Sequence, residues 1–244
     1  MSLTFLSPSP GAVARSPMER EALAAGARLE VRGGWNVAVA FDGPELERDR
    51  CRLTVGFADV SHLGKVEVQA SPADLAAIVE ACAGGASLEL GRATRKDRAW
   101  WCPYTSTRAL VICDTDLLDG LRGELERAAA TRPGSTSVVD VTTAQAALTV
   151  AGPLARELFA RFTAIDLRPQ VMPLRGWRPG SVARTPGAIL READERYLML
   201  FGSALGQYMW SMVADAAARL GGGPVGVDAL GPVGEAQEEA TLHA

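Results

Sequence analysis

One stretch, residues 137–167, constrains the fold of this 244-residue chain more than any other. β-Branched valines at 138, 139 and 141 suit a pleated strand, and a second short apolar run covers residues 147–150. Gly152 and Pro153 then end the strand and favour a helix start, because proline is tolerated at the first helical position. The predicted helix has one apolar face, which consists of Leu154, Leu158, Phe159 and Phe162. The strands and the helix each have an apolar face that must be buried, so the stretch predicts a two-layer unit in which the helix packs on the strands.

The bulk composition excludes several functional classes. With 48% hydrophobic residues the chain can bury a core, and 244 residues suffice for one large domain or two small lobes. The net charge of −4 provides no general attraction for nucleic acid or an anionic membrane. No apolar run approaches the roughly 20 residues that span a bilayer, and the N-terminus lacks the apolar core of a signal peptide. We therefore expect no nucleic-acid partner and no membrane association.

The cysteines and the sequence motifs exclude further functional classes. The four cysteines show no Cys-x-x-Cys spacing, and only His62 and His243 could join them as ligands, so we expect no metal site. Unpatterned cysteines in a chain of this length are typical of a reducing compartment, which predicts a cytoplasmic protein. The sequence contains no phosphate-binding glycine loop, Ser-His-Asp set or His-Glu-x-x-His motif, which argues against nucleotide hydrolysis and metalloprotease chemistry.

Turn and capping signals predict two lobes, residues 16–133 and 134–230, between flexible tails at 1–15 and 231–244. Serine followed by proline predicts helices that start after Ser16 and Ser71. Apolar stripes predict further helices over 114–130 and 203–220. We expect hairpins over 28–41, 99–113 and 188–201, strands over 52–57 and 86–90, and loops over 42–50, which is charged, and 92–98, which is basic.

A faint internal repeat links the two predicted lobes. Residues 59–72 match residues 140–153 at a constant offset, and each copy runs from a strand through a small residue and a proline into a helix. Gene duplication explains the match. Independent use of a common sequence pattern, in which a strand is followed by a proline and a helix, explains it equally well. Both explanations stay open at this point.

Two parts of the chain resemble known protein families. Residues 56–68, Gly-Phe-Ala-Asp-Val-Ser-His-Leu-Gly-Lys-Val-Glu-Val, resemble a strand segment of the glycine-cleavage T-protein, an aminomethyltransferase. The second half resembles the gamma subunit of heterotetrameric sarcosine oxidase. The pieces that carry this resemblance are Val-Asp-Val at 139–141, Leu-Thr-Val-Ala-Gly-Pro at 148–153, Ala-Arg-Glu at 155–157, Asp166-Leu167, Gly180 with Ala183 and Thr185, and Ser203-Ala204 with Trp210.

The two families share one fold, so the resemblance implies a fold class for the whole chain. We expect an α+β, folate-binding, T-protein-like fold with two α/β lobes of mixed and antiparallel sheet covered by helices. The C-terminal β-barrel of a T-protein is expected to be missing. The resemblance also makes Asp59, His62, Trp100 and Arg184 candidates for a folate pocket, with tetrahydrofolate as the candidate cofactor. A gamma-type subunit would pack against larger sarcosine-oxidase-like alpha and beta subunits, which would carry flavin and NAD.

The sequence departs from the T-protein pattern at the positions that carry chemistry. The family's catalytic aspartate lies in a Gly-Gly-x-x-Asp-Asp segment, where this chain has Arg-Ala-Trp-Trp at 98–101 and no carboxylate pair. Leu198 aligns with the expected pterin-binding glutamate, and Leu230 with a later arginine. A leucine would leave buried pterin donors unpaired, at a cost of about 1–3 kcal/mol per group. We therefore expect no catalytic residue in this chain.

The candidate residues also have structural interpretations. Asp59 could cap its own turn, and His62 could be a polar turn residue. Adjacent Trp100 and Trp101 point to opposite faces of a strand, so we expect one in the core and one outward. Trp177 is expected to be exposed or at an interface, where tryptophan is enriched.

Two functions from different classes remain. The first, which we prefer, is a non-catalytic gamma-type subunit of a sarcosine-oxidase-like flavoenzyme complex in folate-linked one-carbon and amine catabolism. The second is a standalone tetrahydrofolate-dependent, aminomethyltransferase-like one-carbon transferase that uses Asp59 or another acid. A folate-dependent helper of iron–sulfur assembly is a weaker third option, because the Lys-Gly-Cys motif of that branch is absent from the sequence.

Overall fold

The computed structural model describes residues 13–86 and 88–231. In these residues the strands are β1 (Ala14–Arg15), β2 (Arg28–Arg32), β3 (Trp35–Ala40), β4 (Gly56–Asp59), β5 (Gly64–Gln69), β6 (Thr94–Lys96), β7 (Ala99–Thr105), β8 (Arg108–Cys113), β9 (Ser137–Asp140), β10 (Gln145–Ala151), β11 (Trp177–Val182), β12 (Thr185–Ala193), β13 (Arg196–Gly202) and β14 (Gly223–Pro224). The helices are α1 (Glu19–Ala24), α2 (Pro44–Leu53), α3 (Pro72–Ala83), α4 (Leu118–Ala130), α5 (Ala155–Phe159) and α6 (Gly206–Ala218). Short 3-10 turns cover Thr115–Leu117, Ser203–Leu205 and Val227–Ala229.

The strands form two large sheets and one small sheet. The six-stranded sheet has the order β11-β12-β13-β10-β4-β14 and is antiparallel except for β14, which runs parallel to β4. The five-stranded sheet has the order β6-β7-β8-β5-β9 and is antiparallel throughout. The small sheet has the order β1-β3-β2.

The two large sheets face each other, and each is covered by helices on its outer side. Alternation along β13 shows this: Leu198 and Leu200 pack with Trp100 of the five-stranded sheet, while Tyr197 and Met199 pack with α5 and α6. The outer face of the five-stranded sheet packs against α3 and α4. The layers therefore run helices, sheet, sheet, helices. This confirms the predicted α+β architecture, and the described residues contain no closed β-barrel.

The two predicted lobes exchange strands. Strand β4, from residues 16–133, lies in the six-stranded sheet that residues 134–230 otherwise build. Strand β9, from residues 134–230, lies in the five-stranded sheet that residues 16–133 otherwise build. The chain thus crosses from one sheet to the other twice, and a division at 133/134 passes through both sheets. The stretch 137–167 contains the predicted strands β9 and β10, but they belong to different sheets.

Both crossings begin with the same turn. Asp59 Oδ1 accepts the Ser61 N–H at 2.9 Å, and Asp140 Oδ1 accepts the Thr142 N–H at 2.9 Å. In each case an aspartate side chain replaces a backbone carbonyl two residues before the donor, which is the geometry of an Asx turn. The internal repeat seen in the sequence therefore marks two equivalent crossings.

The two crossings also support each other through their hydroxyl side chains. Ser61 Oγ accepts the backbone N–H of Ala147 in β10 at 3.2 Å. In return, Thr142 Oγ1 accepts the backbone N–H of Lys65 in β5 at 2.9 Å. Because both hydroxyls are buried, each satisfies a donor that water does not reach.

Some predicted elements differ in the structure. The expected loop at 42–50 is helical, because Pro44 stands at its first position and the Glu47 carboxylate accepts the backbone N–H groups of residues 41–43, which precede the helix. Neither signal depends on an apolar stripe. Consequently the strand expected over 52–57 is confined to β4. The basic loop at 92–98 includes the edge strand β6. The strand expected over 86–90 includes Ser87, which lies outside the described residues, and its other positions are not in a strand.

The predicted tails and tryptophan positions also need correction. Ala14 and Arg15, expected in a flexible tail, pair with β3, while residues 1–12 and 232–244 lie outside the described residues. Trp177 is fully buried and not exposed, because β11 faces the five-stranded sheet and Tyr104 packs edge-on against its ring at 5.4 Å. Trp100 and Trp101 do point to opposite faces, yet both are buried, since both faces of their sheet are covered. None of the described helices has the length and apolar character needed to traverse a bilayer.

Candidate functional site

A cavity of about 170 Å³ lies between the two large sheets, at the end where β7 and β8 face the β12–β13 hairpin. We call it the inter-sheet cavity. Its apolar wall includes Val60, Leu63, Trp100, Ile112 and Leu230. Its polar wall includes His62, Arg95, Arg98, Asp114, Glu192 and Arg196. Two of the four residues predicted for a folate pocket, His62 and Trp100, therefore meet in one cavity.

A β-bulge brings Glu192 into the cavity. Arg191 pairs with Tyr197 and Ala193 pairs with Arg196, so Glu192 is the additional residue of the bulge. A bulge bends its strand and redirects a side chain. Glu192 is only 7% exposed, and its Oε2 accepts a hydrogen bond from Arg196 Nε at 3.1 Å.

Arg196 also closes one end of the cavity. Its Nη1 donates to the carbonyl oxygens of Leu230 and Gly231, at 2.8 Å and 2.9 Å. The guanidinium therefore joins the β12–β13 hairpin to the last described residues of the chain. The Glu192–Arg196 pair therefore connects the β-bulge to Leu230 and Gly231.

The second acid of the cavity is paired as well. Asp114 Oδ2 accepts from Arg98 Nε at 2.6 Å, and Arg98 also bonds the exposed Asp116. Both partners of this pair are about half exposed, so water screens it and its contribution to stability is small. In the cavity, this ion pair leaves Asp114 Oδ2 bonded to Arg98.

Strand pairing places Arg95 against Trp100. The two residues are direct partners in the β6–β7 pair, and the Arg95 guanidinium carbon lies 5.1 Å from the centre of the Trp100 ring. Directly opposed residues on one face of an antiparallel pair are in contact, which accounts for the cation–π geometry.

His62 is neutral in this site near pH 7. Burial lowers its pKa to about 4, and the positive charge of Lys65 acts in the same direction. The carbonyl oxygen of His62 accepts a hydrogen bond from the Thr115 hydroxyl at 2.7 Å, which fixes the backbone here. With its proton lost, His62 adds a polar surface to the cavity and no charge.

Asp59 does not line the inter-sheet cavity. Its carboxylate accepts from the Ser61 N–H and from the Ser16 hydroxyl, and burial raises its pKa. The capping signal at Ser16 predicts a helix start correctly but not its cap: the Ser16 hydroxyl bonds Asp59 and accepts the Met18 N–H at 3.1 Å, while α1 begins without a side-chain cap. Asp59 therefore stabilises the turn between β4 and β5, where the chain first crosses from one sheet to the other.

Arg184 is also away from the cavity. It lies in the turn between β11 and β12, is exposed, and has a φ of 64°, as expected for a tight two-residue hairpin turn. The four predicted folate-pocket residues thus occupy three separate places in the fold.

The inter-sheet cavity does not fit a pterin as it stands. A cavity of roughly 150 Å³ holds about one benzene ring, whereas a pterin has two fused rings. Leu198, aligned with the expected pterin-binding glutamate, is fully buried in the sheet interface and offers no polar atom. Both acids that face the cavity are bonded to arginines.

Several known proteins are similar to this chain in sequence. No family model matches the sequence. An aminomethyltransferase from Moorella thermoacetica is 26% identical over 234 residues, which cover 88% of this chain and 61% of that enzyme. A probable aminomethyltransferase from Natronomonas pharaonis is 35% identical over 94 residues, 38% of this chain. The chain therefore spans about three fifths of the first relative's length.

Two solved structures have the same fold. The glycine cleavage system aminomethyltransferase T from Bartonella henselae matches with a TM-score of 0.73 and 16% identity, over 89% of this chain and 60% of that chain. A chain of heterotetrameric sarcosine oxidase from Corynebacterium sp. U-96 matches with a TM-score of 0.67 and 19% identity, over 84% and 95%. This chain has a T-protein-like fold. The resemblance and the fold class predicted from the sequence are thereby confirmed.

Sequence reasoning did not identify Glu192 and Arg196 as site residues. The hairpin that contains them was predictable, and a glutamate and an arginine on either side of its turn are close enough to pair. The bulge that turns Glu192 into the cavity has no signal in the sequence.

Proposed function

We propose that this chain is a non-catalytic, gamma-type subunit of a sarcosine-oxidase-like flavoenzyme complex that acts in folate-linked one-carbon and amine catabolism. Larger alpha and beta subunits would carry the flavin and the NAD. This chain would bind those subunits and would perform no chemistry of its own.

The observation that carries the proposal is the pairing of both acids in the inter-sheet cavity. Transfer of a one-carbon unit needs a group that orients or stabilises a cationic intermediate. Glu192 is bonded to Arg196 and Asp114 to Arg98, so neither carboxylate faces the cavity with free charge. Asp59, the remaining candidate acid, is bonded within the first crossing.

The structural match to sarcosine oxidase supports the proposed role. The matched region accounts for 95% of one chain of that heterotetramer, against 60% of the aminomethyltransferase chain. The size of the cavity supports it too, because about 170 Å³ lies below the roughly 300 Å³ at which pockets for drug-sized ligands begin.

Purification from the native source tests the proposal. A tagged copy of the full chain should recover larger subunits with flavin absorbance, and the recovered complex should oxidise a secondary amine such as sarcosine. The chain expressed alone should show neither amine oxidation nor methylene transfer to tetrahydrofolate. Turnover by the isolated chain, or recovery of the chain without any flavoprotein, would contradict the proposal.

The alternative is a standalone one-carbon transferase that uses tetrahydrofolate. The curated relative from Moorella thermoacetica favours it, because that match covers most of this chain and carries the name aminomethyltransferase. On this alternative the inter-sheet cavity must widen and one of its arginine–carboxylate pairs must open. Methylene transfer by the isolated chain that disappears in Glu192→Gln or Asp59→Ala would establish it.

A further inference from the structure

The charges around the inter-sheet cavity do not cancel. Three arginines line it, and two of them are paired with carboxylates, Arg98 with Asp114 and Arg196 with Glu192. Across residues 13–86 and 88–231, no carboxylate lies within ion-pair distance of Arg95. The Arg95 side chain lines the cavity and is partly buried, and its Nη1 has no hydrogen-bond acceptor among the described residues.

An unpaired guanidinium in this position favours an anion. A buried donor without a partner costs free energy, and the cost is larger for a charged group. The planar guanidinium presents parallel N–H donors whose geometry matches a carboxylate. Stacking on Trp100 holds the Arg95 guanidinium in place, so little side-chain freedom would be lost when an anion binds.

The rest of the cavity wall indicates the size and the apolar character of the anion. Val60, Leu63, Ile112 and Leu230 form an apolar part of the wall, which offers no side-chain hydrogen-bonding groups. A cavity of about 170 Å³ holds a ligand of about six non-hydrogen atoms, since roughly 150 Å³ suffices for benzene. A small hydrocarbon body with one carboxylate satisfies both the wall and the charge.

We propose that the inter-sheet cavity binds a small monocarboxylate of about six non-hydrogen atoms, with the carboxylate on Arg95 and the apolar body against Trp100 and Ile112. The carboxylates of Glu192 and Asp114 do not compete for Arg95, because each already has an arginine partner. This proposal goes beyond the proposed function and requires neither a partner subunit nor turnover. An inorganic oxyanion would satisfy Arg95 but would leave the apolar wall uncovered.

Isothermal titration of the full chain with butyrate and with butyramide tests the charge. The two probes have the same size and shape, and they differ in charge. We expect butyrate to bind with a dissociation constant in the millimolar range and butyramide to bind at least about 10-fold more weakly. Inorganic phosphate, titrated in parallel, should bind more weakly than butyrate because it lacks the apolar body.

Substitutions of Arg95 then test whether this residue binds the carboxylate. Arg95→Gln should weaken butyrate binding by about 10- to 100-fold, whereas Arg92→Gln, the same change at an exposed arginine of the same segment, should leave it unchanged. Arg95→Lys, which keeps the charge, should retain part of the affinity and serves as the second variant if Arg95→Gln does not fold. Equal binding of butyrate and butyramide, equal loss in Arg92→Gln, or phosphate binding as tight as butyrate would overturn the proposal. Failure of these titrations would leave the purification experiment on the proposed function unaffected.

Discussion

Glu47 connects the helix α2 to the segment that closes the inter-sheet cavity, and its substitution should destabilise the protein strongly. Its Oε1 accepts the backbone N–H groups of Phe41, Asp42 and Gly43 at 2.7, 3.0 and 3.2 Å. Its Oε2 accepts the N–H of Gly226 at 2.6 Å. The side chain is 1% exposed, so water does not replace any of these bonds.

The cost of Glu47→Gln follows from the number of acceptors that remain. An amide keeps the volume but has one acceptor oxygen, so its NH2 group must face at least one backbone N–H. A buried donor without a partner costs about 1–3 kcal/mol, and a bond to a charged acceptor contributes about 1.5–3 kcal/mol. Because neighbouring terms do not add fully, we expect a loss of about 3 kcal/mol. For a domain of this size that lowers Tm by about 6–12 °C.

Thermal and urea unfolding of Glu47→Gln, followed by circular dichroism, measure this loss. Glu45→Gln is the matched control, because it makes the same charge change in the first turn of α2 at an exposed position. The control should cost no more than about 1 kcal/mol, the size of a helix-dipole interaction. If Glu47→Gln is no more destabilising than Glu45→Gln, the four-bond network does not hold this part of the fold.

Three further predictions concern the two crossings, the partly buried His62, and Gly226 in the segment 226–231 that lines the inter-sheet cavity. Ser61→Ala and Thr142→Val should each cost about 1–3 kcal/mol in urea unfolding, since each leaves a buried N–H unpaired; a neutral result at either site would argue against two equivalent crossings. His62 has a folded pKa of about 4 and an unfolded value near 6.5, so its contribution is fully present above pH 6.5 and is lost as pH falls towards 4. That loss is on the order of 3 kcal/mol, and His62→Gln should remove it; an unchanged pH profile of unfolding would contradict the assignment. Gly226→Ala should destabilise severely, because its Cβ would lie 1.9 Å from a β3 carbonyl oxygen, whereas Gly202→Ala has open space and should be nearly neutral in the same melting assay.

The parts of the fold that the sequence predicts are those with local signals. The Ser71 cap is one: its hydroxyl accepts the Asp74 N–H at 3.2 Å, and α3 begins where the pattern places it. The β12–β13 hairpin and the apolar stripes of α4 and α6 are others. In each case the residues that decide the structure lie within a few positions of one another.

The parts that could not be predicted depend on distant pairing. Whether β9 joins β10 or β5 is decided by contacts between residues about 70 positions apart, such as Val66 with Asp140. The burial of Trp177 depends on its packing against the opposite sheet, and no local sequence pattern indicates that packing. The inter-sheet cavity combines both problems, since its walls come from β6, β7, β8, β10 and the β12–β13 hairpin, and Glu192 enters through a bulge.

The central claim is that the inter-sheet cavity of this chain does not accept a pterin. Calorimetric titration of the full chain with tetrahydrofolate tests it most directly. We predict no saturable binding in the micromolar range, for the protein alone and for Glu192→Gln alike. Binding in the micromolar range or tighter that is weakened in Glu192→Gln would contradict the claim and would indicate a working folate site.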